Sequence, residues 1–362
     1  MMAGIFSAIV VVLLLLTLTP RLQLQHWTVR VLDYPRLQLF TISLVLLVLE
    51  LLLLDFSNQS SWWIVAATLF CLGYQGWWIY PYTPLVRVEV KNADALGKDR
   101  TVKLLVANVY GKNRRAEPLL ALVEESKPDL LLTLESNSWW EKQLDSLEPE
   151  YPYTIKRAQE NLYGMHLYSK LPLSQSSIEY LLNDDIPSIH TLVSLPCGEK
   201  VRAHFLHPDP PHPKFSVDTS ERDAELVIVG RSVADDDSPT LVAGDLNDVA
   251  WSSTTRLFRK ISRLRDPRVG RGMFNTYSAE HWFLRWPLDH LFVSDHFTVN
   301  AIRKLGNIRS DHFPLFTELV CNGNNLNPDN KPALNQEDRT RASQKLADEG
   351  VDRHDVPNPR AR

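Results

Sequence analysis

Polar side chains that follow short apolar runs are the residues of this sequence that could do chemistry. The run Leu241–Ala243 leads through Gly244 to an acid and an amide, Asp245 and Asn247. Because residues two apart in an extended segment point to the same side, a strand here would present both side chains to one cleft. A turn built on Asx side chains would give the same pattern, so this stretch alone decides nothing.

Other apolar runs along the chain also end in acids, amides or imidazoles. Their polar ends are Asn108, Glu135, His207, Asp289, Asp311 and His312. Carboxylate oxygens are preferred ligands of Mg²⁺, and a cation of this kind stabilises the charge that grows on phosphate oxygens. An Asp paired with a His fixes the tautomer of the imidazole and raises its basicity. Brought together in one cleft, these residues suit metal-assisted hydrolysis of a phosphoric ester.

The segment that must position these residues alternates short apolar runs with helical stretches from residue 101 onward. Strands are predicted at 101–109, 129–134, 241–243, 288–294 and 313–320, and helices at 116–126, 220–234 and 253–264. Several neighbouring strands lack a helical crossover, which favours an α/β sandwich with mixed sheets over a doubly wound sheet. We assign residues 83–100 to a linker, 101–321 to a catalytic domain and the polar stretch 322–362 to a disordered tail.

Residues 1–82 differ in composition from the rest of the chain, because they contain three long apolar runs and few charges. Each run is close to the ~20 residues that span a bilayer, and Trp and Tyr flank the third as at a membrane interface. We predict three transmembrane helices, at about 3–20, 38–55 and 62–80, since a cleaved signal peptide or buried core helices explain the runs less well. The first loop carries Arg and the second none, which favours a cytoplasmic catalytic domain on a multi-pass inner-membrane protein.

Composition narrows the function further. The net charge is −4, from 39 basic and 43 acidic residues, which weakens any case for non-specific nucleic-acid binding. The three cysteines are far apart and have no metal-ligand spacing. The basic stretch 256–271 could be a solvated helix face or a patch for an anionic head group, and the aromatic stretch 281–287 could dip towards lipid or pack over substrate. The sequence leaves these alternatives open.

Seven stretches, in order along the chain, carry a resemblance to a known family. They are ANVYGKN (107–113), LLTLES (131–136), YGMHLYSKLPL (163–173), HFLHPDPP (204–211), GDLND (244–248), WPLDHLFVS (286–294) and RSDHFPL (309–315). Through them, residues 101–320 resemble the endonuclease/exonuclease/phosphatase family, and the whole chain looks like its membrane-anchored bacterial members. The resemblance implies a DNase I-like four-layer α/β sandwich, with two mixed sheets flanked by helices, here preceded by the three transmembrane helices.

The resemblance also implies a metal site. Glu135 would be the principal ligand of Mg²⁺, with Mn²⁺ as a possible substitute. Asn108 would lie beside Glu135 and also contact the substrate, and Asp311 would lie near the metal.

The remaining strand-end residues would act on water and phosphate in this resemblance. Asp245 would orient or deprotonate the attacking water, and Asn247 would hold the scissile phosphate. His312 would be the catalytic imidazole, with Asp289 as its orienting partner. His207 would donate to the phosphate or to the leaving group.

Together these features predict a membrane-anchored, Mg²⁺-dependent phosphoric-ester hydrolase that acts on a lipid-linked or small phosphorylated substrate. A metal-dependent nuclease is the alternative within the same family, and the slight acidity of the domain and its tether disfavour it. A third reading is a non-catalytic membrane scaffold of the same fold. Such a scaffold is expected to have lost strand-end residues, and none of them is missing from the sequence.

Overall fold

Two β-sheets form the centre of the catalytic domain in the computed structural model, which describes residues 2–22, 24–94, 97–210, 218–234, 237–323, 334–350 and 355–357. The strands are β1 (Thr101–Asn108), β2 (Leu130–Leu134), β3 (Tyr153–Arg157), β4 (Met165–Ser169), β5 (Leu173–Glu179), β6 (Ser188–Ser194), β7 (Lys200–Leu206), β8 (Thr240–Asp245), β9 (Asp289–Val293), β10 (Phe297–Lys304) and β11 (Leu315–Cys321). One sheet has the order β10-β11-β1-β2-β4-β3 and the other the order β5-β6-β7-β8-β9. Both sheets are mixed, as predicted: β1 is parallel to β2 and β7 to β8, whereas β11 and β9 run antiparallel to their neighbours.

The two sheets pack face to face because their strands are apolar on both sides. Leu104 and Leu132 of the first sheet share one buried cluster with Ala203 and Leu241 of the second. Residues that alternate with these along the strands, such as Leu105, point to the outer face of the sheet, as the two-residue period of a strand requires. This inner cluster is the middle of the sandwich.

Helices cover both outer faces, which completes the predicted four layers. The helices of the catalytic domain are α5 (Glu117–Ser126), α6 (Ser138–Leu144), α7 (Ser220–Ala234) and α8 (Ser253–Ser262). Helices α5 and α6 pack on the first sheet through Leu119 and Trp140. Helices α7 and α8 pack on the second sheet through Val227 and Phe258.

The sheet topology brings the polar strand ends to one edge of the sandwich. Parallel strands β1 and β2 finish there at Asn108 and just before Glu135, and β7 and β8 finish there just before His207 and at Asp245. The antiparallel strand β9 begins at the same edge, so that Asp289 pairs with Asp245 in the ladder. Strand β11 also begins there, directly after the stretch that holds His312.

Helices occupy all three of the apolar runs near the amino terminus, but only two of them pass as membrane spans. The helices are α1 (Met2–Leu18), α2 (Trp27–Arg30), α3 (Arg36–Leu53) and α4 (Gln59–Ile79). Among the described residues, Met2–Leu22 and Arg36–Leu53 are long and apolar enough to cross a membrane. The prediction of three spans is wrong in this respect, because Gln75 and the glycines, tryptophans and tyrosines within the third predicted span lower its hydropathy.

The carboxyl-terminal stretch predicted as disordered contains a helix, α9 (Gln336–Glu349). Asn335 caps it, with the reciprocal hydrogen bonds of a capping box to Asp338. Ala342 and Leu346, four residues apart on one face, join the buried cluster of α7 and α8. Residues 324–333, 351–354 and 358–362 of the predicted tail lie outside the described residues.

The basic stretch 256–271 does not form a free cationic patch. Arg259 pairs with Glu89 at 2.5 Å, Lys260 with Asp338 at 2.8 Å and Arg268 with Asp266 at 2.8 Å. Three more of its cations are also engaged: Arg265 pairs with Asp295, Arg271 donates to the carbonyl of Val90, and Arg256 lies over the ring of Trp78. The stretch therefore holds the linker 83–100 and helix α9 against the domain, and a head-group patch is not the explanation for it.

Candidate active site

A cleft of about 400 Å³ opens at the edge of the sandwich where the polar strand ends meet. Six of the predicted site residues line it, namely Glu135, His207, Asp245, Asn247, Asp311 and His312. Asn108 and Asp289 lie directly behind them and hydrogen-bond to them. The structure thus brings all eight predicted residues together, although they come from six segments of the chain.

His312 is held by a carboxylate on each side of its ring. Its Nδ1 donates to Asp289 Oδ2 at 2.8 Å, and its Nε2 lies 3.5 Å from Asp245 Oδ2. Burial alone would lower the pKa of His312, but the two carboxylates outweigh it and raise the pKa to about 10. The imidazole is therefore a cation at neutral pH and can donate from both nitrogens.

Asn108 joins the carboxylates of Glu135 and Asp245. Its Nδ2 donates to Glu135 Oε1 at 3.0 Å and to Asp245 Oδ2 at 3.3 Å, while its Oδ1 accepts from the backbone of Tyr110. In this arrangement Asn108 offers its amide nitrogen to the cleft acids and not its oxygen. Its role in the structure is to hold the two carboxylates, and its predicted contacts with metal and substrate stay predictions.

Glu135 lies at the end of β2 with a positive φ of 59° and projects into the cleft. Its Oε2 accepts from the backbone N–H of Gly111 at 3.3 Å. Burial and the nearby carboxylate of Asp311 raise the pKa of Glu135 to about 7. A carboxyl whose charge is disfavoured in this way is one that a cation beside it would stabilise.

Two sets of side chains could hold a metal. Asp245, Asp289 and His312 have one potential ligand atom each, and these atoms lie within 4.8 Å of one another, but a cationic His312 has no lone pair for a metal, so this set then consists of its two carboxylates. Asp289 Oδ1 is buried and has no hydrogen-bond partner among the described residues, which fits a cation ligand. Glu135 and Asp311, which were predicted to bind the metal, face the same cleft. The oxygen-rich donors suit a hard divalent cation, and the sequence pattern did not point to the first of these sets as a metal site.

Asn247 is held by one hydrogen bond from its backbone and one from its side chain. Its backbone N–H donates to Asp245 Oδ1 at 2.9 Å, and its Nδ2 donates to the carbonyl of Pro208 at 2.8 Å. Because a carbonyl only accepts, this second contact fixes which end of the amide is the nitrogen. The remaining N–H of the amide is free to donate to a phosphate oxygen in the cleft.

His207 lines the cleft, and one of its ring nitrogens, the buried Nδ1, has no hydrogen-bond partner among the described residues. Burial lowers the pKa of His207 to about 4, so the ring is neutral at pH 7 and carries one N–H. The ring packs against Tyr163, whose hydroxyl donates to Asp209. His207 can therefore donate a hydrogen bond to substrate without bringing a charge.

Several cleft residues could not be found from the sequence. Val31 and Tyr34, in the loop before α3, form one wall. Tyr277 and Trp286 stack at 5.9 Å and form another, with Tyr277 5.0 Å from the His312 ring. The aromatic residues of the stretch 281–287 have different surroundings. Trp286 lines the cleft, whereas Trp282 is 79% exposed. No spacing in the sequence marks Val31 or Tyr34.

Comparisons with known proteins agree with this geometry. The profile described as "Endonuclease/Exonuclease/phosphatase family" matches residues 105–312. A UPF0294 protein of Vibrio campbellii is 24% identical over 264 residues, which are 65% of this chain and 83% of that protein.

Two solved structures share the fold. D. rerio TDP2 in complex with a single-strand DNA product is 14% identical and superposes with a TM-score of 0.50, covering 60% of this chain and 98% of that one. The human Nocturnin catalytic domain with a bound sulfate is 14% identical with a TM-score of 0.50, covering 61% of this chain and 95% of that one. The sandwich, the cleft and the matched profile show that the chain belongs to the endonuclease/exonuclease/phosphatase family and is a hydrolase of phosphoric esters.

Proposed function

We propose that this protein is a membrane-anchored, Mg²⁺-dependent hydrolase of a lipid-linked or small phosphorylated substrate. The observation that carries the proposal is the charge of the cleft. Glu135, Asp245 and Asp311 line it with Asp289 behind, no Lys or Arg is among the described residues that line it, and the cationic ring of His312 offsets only part of the negative charge. A phosphate ester is itself anionic, so it would be repelled from this cleft unless a cation lay between substrate and carboxylates.

The residues of the chain supply the other parts of a hydrolytic mechanism. A divalent cation bound at the carboxylates would neutralise charge on the phosphate oxygens. Asp245 Oδ2 faces the cleft between Asn108 and His312, where it can orient an attacking water and accept its proton. The amide of Asn247 and the cationic ring of His312 donate to the phosphate as its charge grows.

In this proposal His207 donates a hydrogen bond to the leaving group. His207 lines the same cleft as His312, and its buried Nδ1 has no partner among the described residues. A neutral imidazole there can donate a hydrogen bond to the departing oxygen.

The cleft lining favours a substrate with an apolar part. Val31, Leu162, Pro210, Trp286 and Leu288 line it beside the acids. These side chains offer no charge to a nucleic-acid backbone, whose binding depends on Lys and Arg. An acyl or prenyl chain next to the phosphate would instead bury apolar surface against them.

Apolar side chains on the amino-terminal helices support the membrane anchor. Leu52 of α3 is 74% exposed and Trp63 of α4 is 70% exposed, and many aliphatic side chains of α1 and α3 also face outward. Such a surface is stable in lipid and unfavourable in water. We expect the full chain to remain with membranes after carbonate extraction, and its release in carbonate would contradict the anchor.

A side-by-side substrate assay tests the proposed function. The purified full chain is given a polyprenyl pyrophosphate, a phospholipid, a small phosphodiester and plasmid DNA, each with Mg²⁺, with Mn²⁺ and with EDTA. We expect metal-dependent hydrolysis of a lipid or small substrate, and none in EDTA. Plasmid cleavage that is lost in Asp245→Ala, with the lipids untouched, would assign the chain as a nuclease instead. Hydrolysis of no member of the panel would refute the proposal.

A further inference from the structure

The loop between α1 and α3 forms part of the catalytic cleft. Tyr34, at the end of this loop, is 7% exposed and lines the cleft together with Val31. Its hydroxyl donates to the backbone carbonyl of Asn247 at 2.6 Å. The bond joins the amino-terminal region to the amide that contacts phosphate in the proposed function.

The backbone at Asn247 needs such support. Its φ is +50°, in the left-handed region that a side chain other than glycine adopts at a cost. The same carbonyl accepts a second bond, from Arg222 Nη1 at 2.8 Å. Arg222 is buried and lies 3.1 Å from Asp223 and 3.5 Å from Asp248, so it is itself held in place. Two donors therefore fix the orientation of the peptide from which the Asn247 side chain projects.

The loop that carries Tyr34 is fixed to the domain at independent points. Trp251 Nε1 donates to the carbonyl of Asp33 at 2.7 Å, next to Tyr34 in sequence. Arg30 pairs with Asp223 at 3.1 Å and donates to Ser253 at 2.7 Å. These contacts hold the backbone on the amino-terminal side of Tyr34 in place, so the position of its hydroxyl relative to Asn247 is fixed.

Tyr34 also contacts the part of the cleft formed by Trp286 and Tyr277. Its ring packs edge-on against Trp286 at 5.6 Å, and Trp286 stacks on Tyr277, which lies against His312. One side chain of the amino-terminal loop therefore touches the wall on the His312 side as well as the Asn247 backbone.

We propose that Tyr34 is a positioning residue for Asn247, and that the amino-terminal loop is a working part of the catalytic cleft as well as a connection between helices. The inference rests on the proposed function for the role of Asn247 in holding phosphate. It implies that the sandwich domain alone, without the loop, binds phosphate poorly even when it is folded.

The chain offers a matched control for the loss of one hydroxyl. Tyr82 is also buried, also lies in the amino-terminal region, and donates to the carbonyl of Ala250 at 2.9 Å, three residues beyond Asn247. Tyr82→Phe removes the same kind of hydrogen bond from the same loop of the domain. It leaves the contacts of Asn247 intact, so it separates a loss of stability from a loss of positioning.

The test uses the full chain in detergent and measures the affinity for inorganic phosphate by calorimetry in the presence of Mg²⁺. Tyr34→Phe is expected to weaken phosphate binding by at least about fivefold, the size of one lost hydrogen bond. Tyr82→Phe is expected to stay within twofold of wild type, although both variants lose similar thermal stability. In an Asn247→Ala background, Tyr34→Phe is expected to have no further effect on phosphate affinity.

Each outcome decides the proposal separately from catalysis. Equal losses in Tyr34→Phe and Tyr82→Phe, or a full Tyr34→Phe effect in the Asn247→Ala background, would show that Tyr34 acts only on stability. Absence of phosphate binding in the wild type would also overturn the proposal that Tyr34 positions Asn247 for phosphate. Phosphate binding without turnover of any ester would refute the proposed function, while the ranking of these variants would still decide the role of Tyr34.

Discussion

The pair of His312 and Asp289 gives the sharpest prediction about the chemistry of the cleft. Asp289 Oδ2 accepts from His312 Nδ1 at 2.8 Å, and both side chains are almost fully buried. In Asp289→Asn the side chain keeps its shape but loses its charge. Its amide oxygen can still accept from Nδ1, so the ring keeps a partner while the cation loses a neighbouring carboxylate.

The size of the effect follows from that contact. A hydrogen bond between charged groups contributes about 1.5–3 kcal/mol and a neutral one about 0.5–1.5 kcal/mol, so keeping the bond but losing the carboxylate charge costs about 1–1.5 kcal/mol. If the weakened pair lowers the stabilisation that the His312 cation gives to the reacting phosphate, this loss appears in the barrier, and kcat falls roughly 5-fold to 13-fold. Substrate binding in the ground state changes less, so KM stays within about threefold of wild type.

Steady-state kinetics on a small phosphodiester at saturating Mg²⁺ measures this split. The control is Asp185→Asn, which removes an exposed carboxylate outside the cleft and changes the net charge by the same amount. A variant Asp289→Asn with kcat within threefold of wild type would contradict a catalytic role for the His312–Asp289 pair. A loss confined to KM would place His312 in substrate binding and not in catalysis.

Two further predictions concern other carboxyl groups. Glu135→Gln is expected to raise the half-saturating Mg²⁺ concentration by roughly tenfold or more, and an unchanged value in a metal titration of activity would exclude Glu135 as a ligand. Burial and the carboxylates of Asp209 and Glu221 raise the pKa of Glu225 to about 8. Folding therefore favours its protonated form, and this stabilisation is lost as pH rises from about 4.5 to 8. Glu225→Gln is expected to melt roughly 5 °C higher than wild type at pH 8 and at nearly the same temperature at pH 4.5, and equal melting at both would contradict it.

The sequence indicated which residues would meet in the cleft because strand ends are local features. Asn108, Glu135 and Asp245 each follow a run that is apolar on both faces, and such a run forms a central strand. Their convergence then depends only on strand direction, which the family resemblance supplied. The four layers and the mixed sheets were predictable for the same reason.

Long-range contacts were beyond the sequence. Tyr34 and Asn247 are more than two hundred residues apart, and no local pattern indicates that the loop before α3 reaches the cleft. The basic stretch 256–271 looked like a surface patch because its partners, such as Glu89 and Asp295, lie in other segments. Helix α9 was missed because its apolar contacts are only Ala342 and Leu346, too few to show periodicity.

The most direct test of the account compares Asp245→Asn with wild type in metal-dependent hydrolysis of a small phosphodiester. Asp245 lies between Asn108 and His312 and accepts the backbone N–H of Asn247, and in the proposed function it orients the attacking water beside the metal and the phosphate. We expect that Mg²⁺ supports activity in the wild type, that EDTA abolishes it, and that Asp245→Asn lowers kcat by about 100-fold or more. Activity that persists in EDTA, or an Asp245→Asn variant that keeps more than about a tenth of the wild-type kcat, would contradict it.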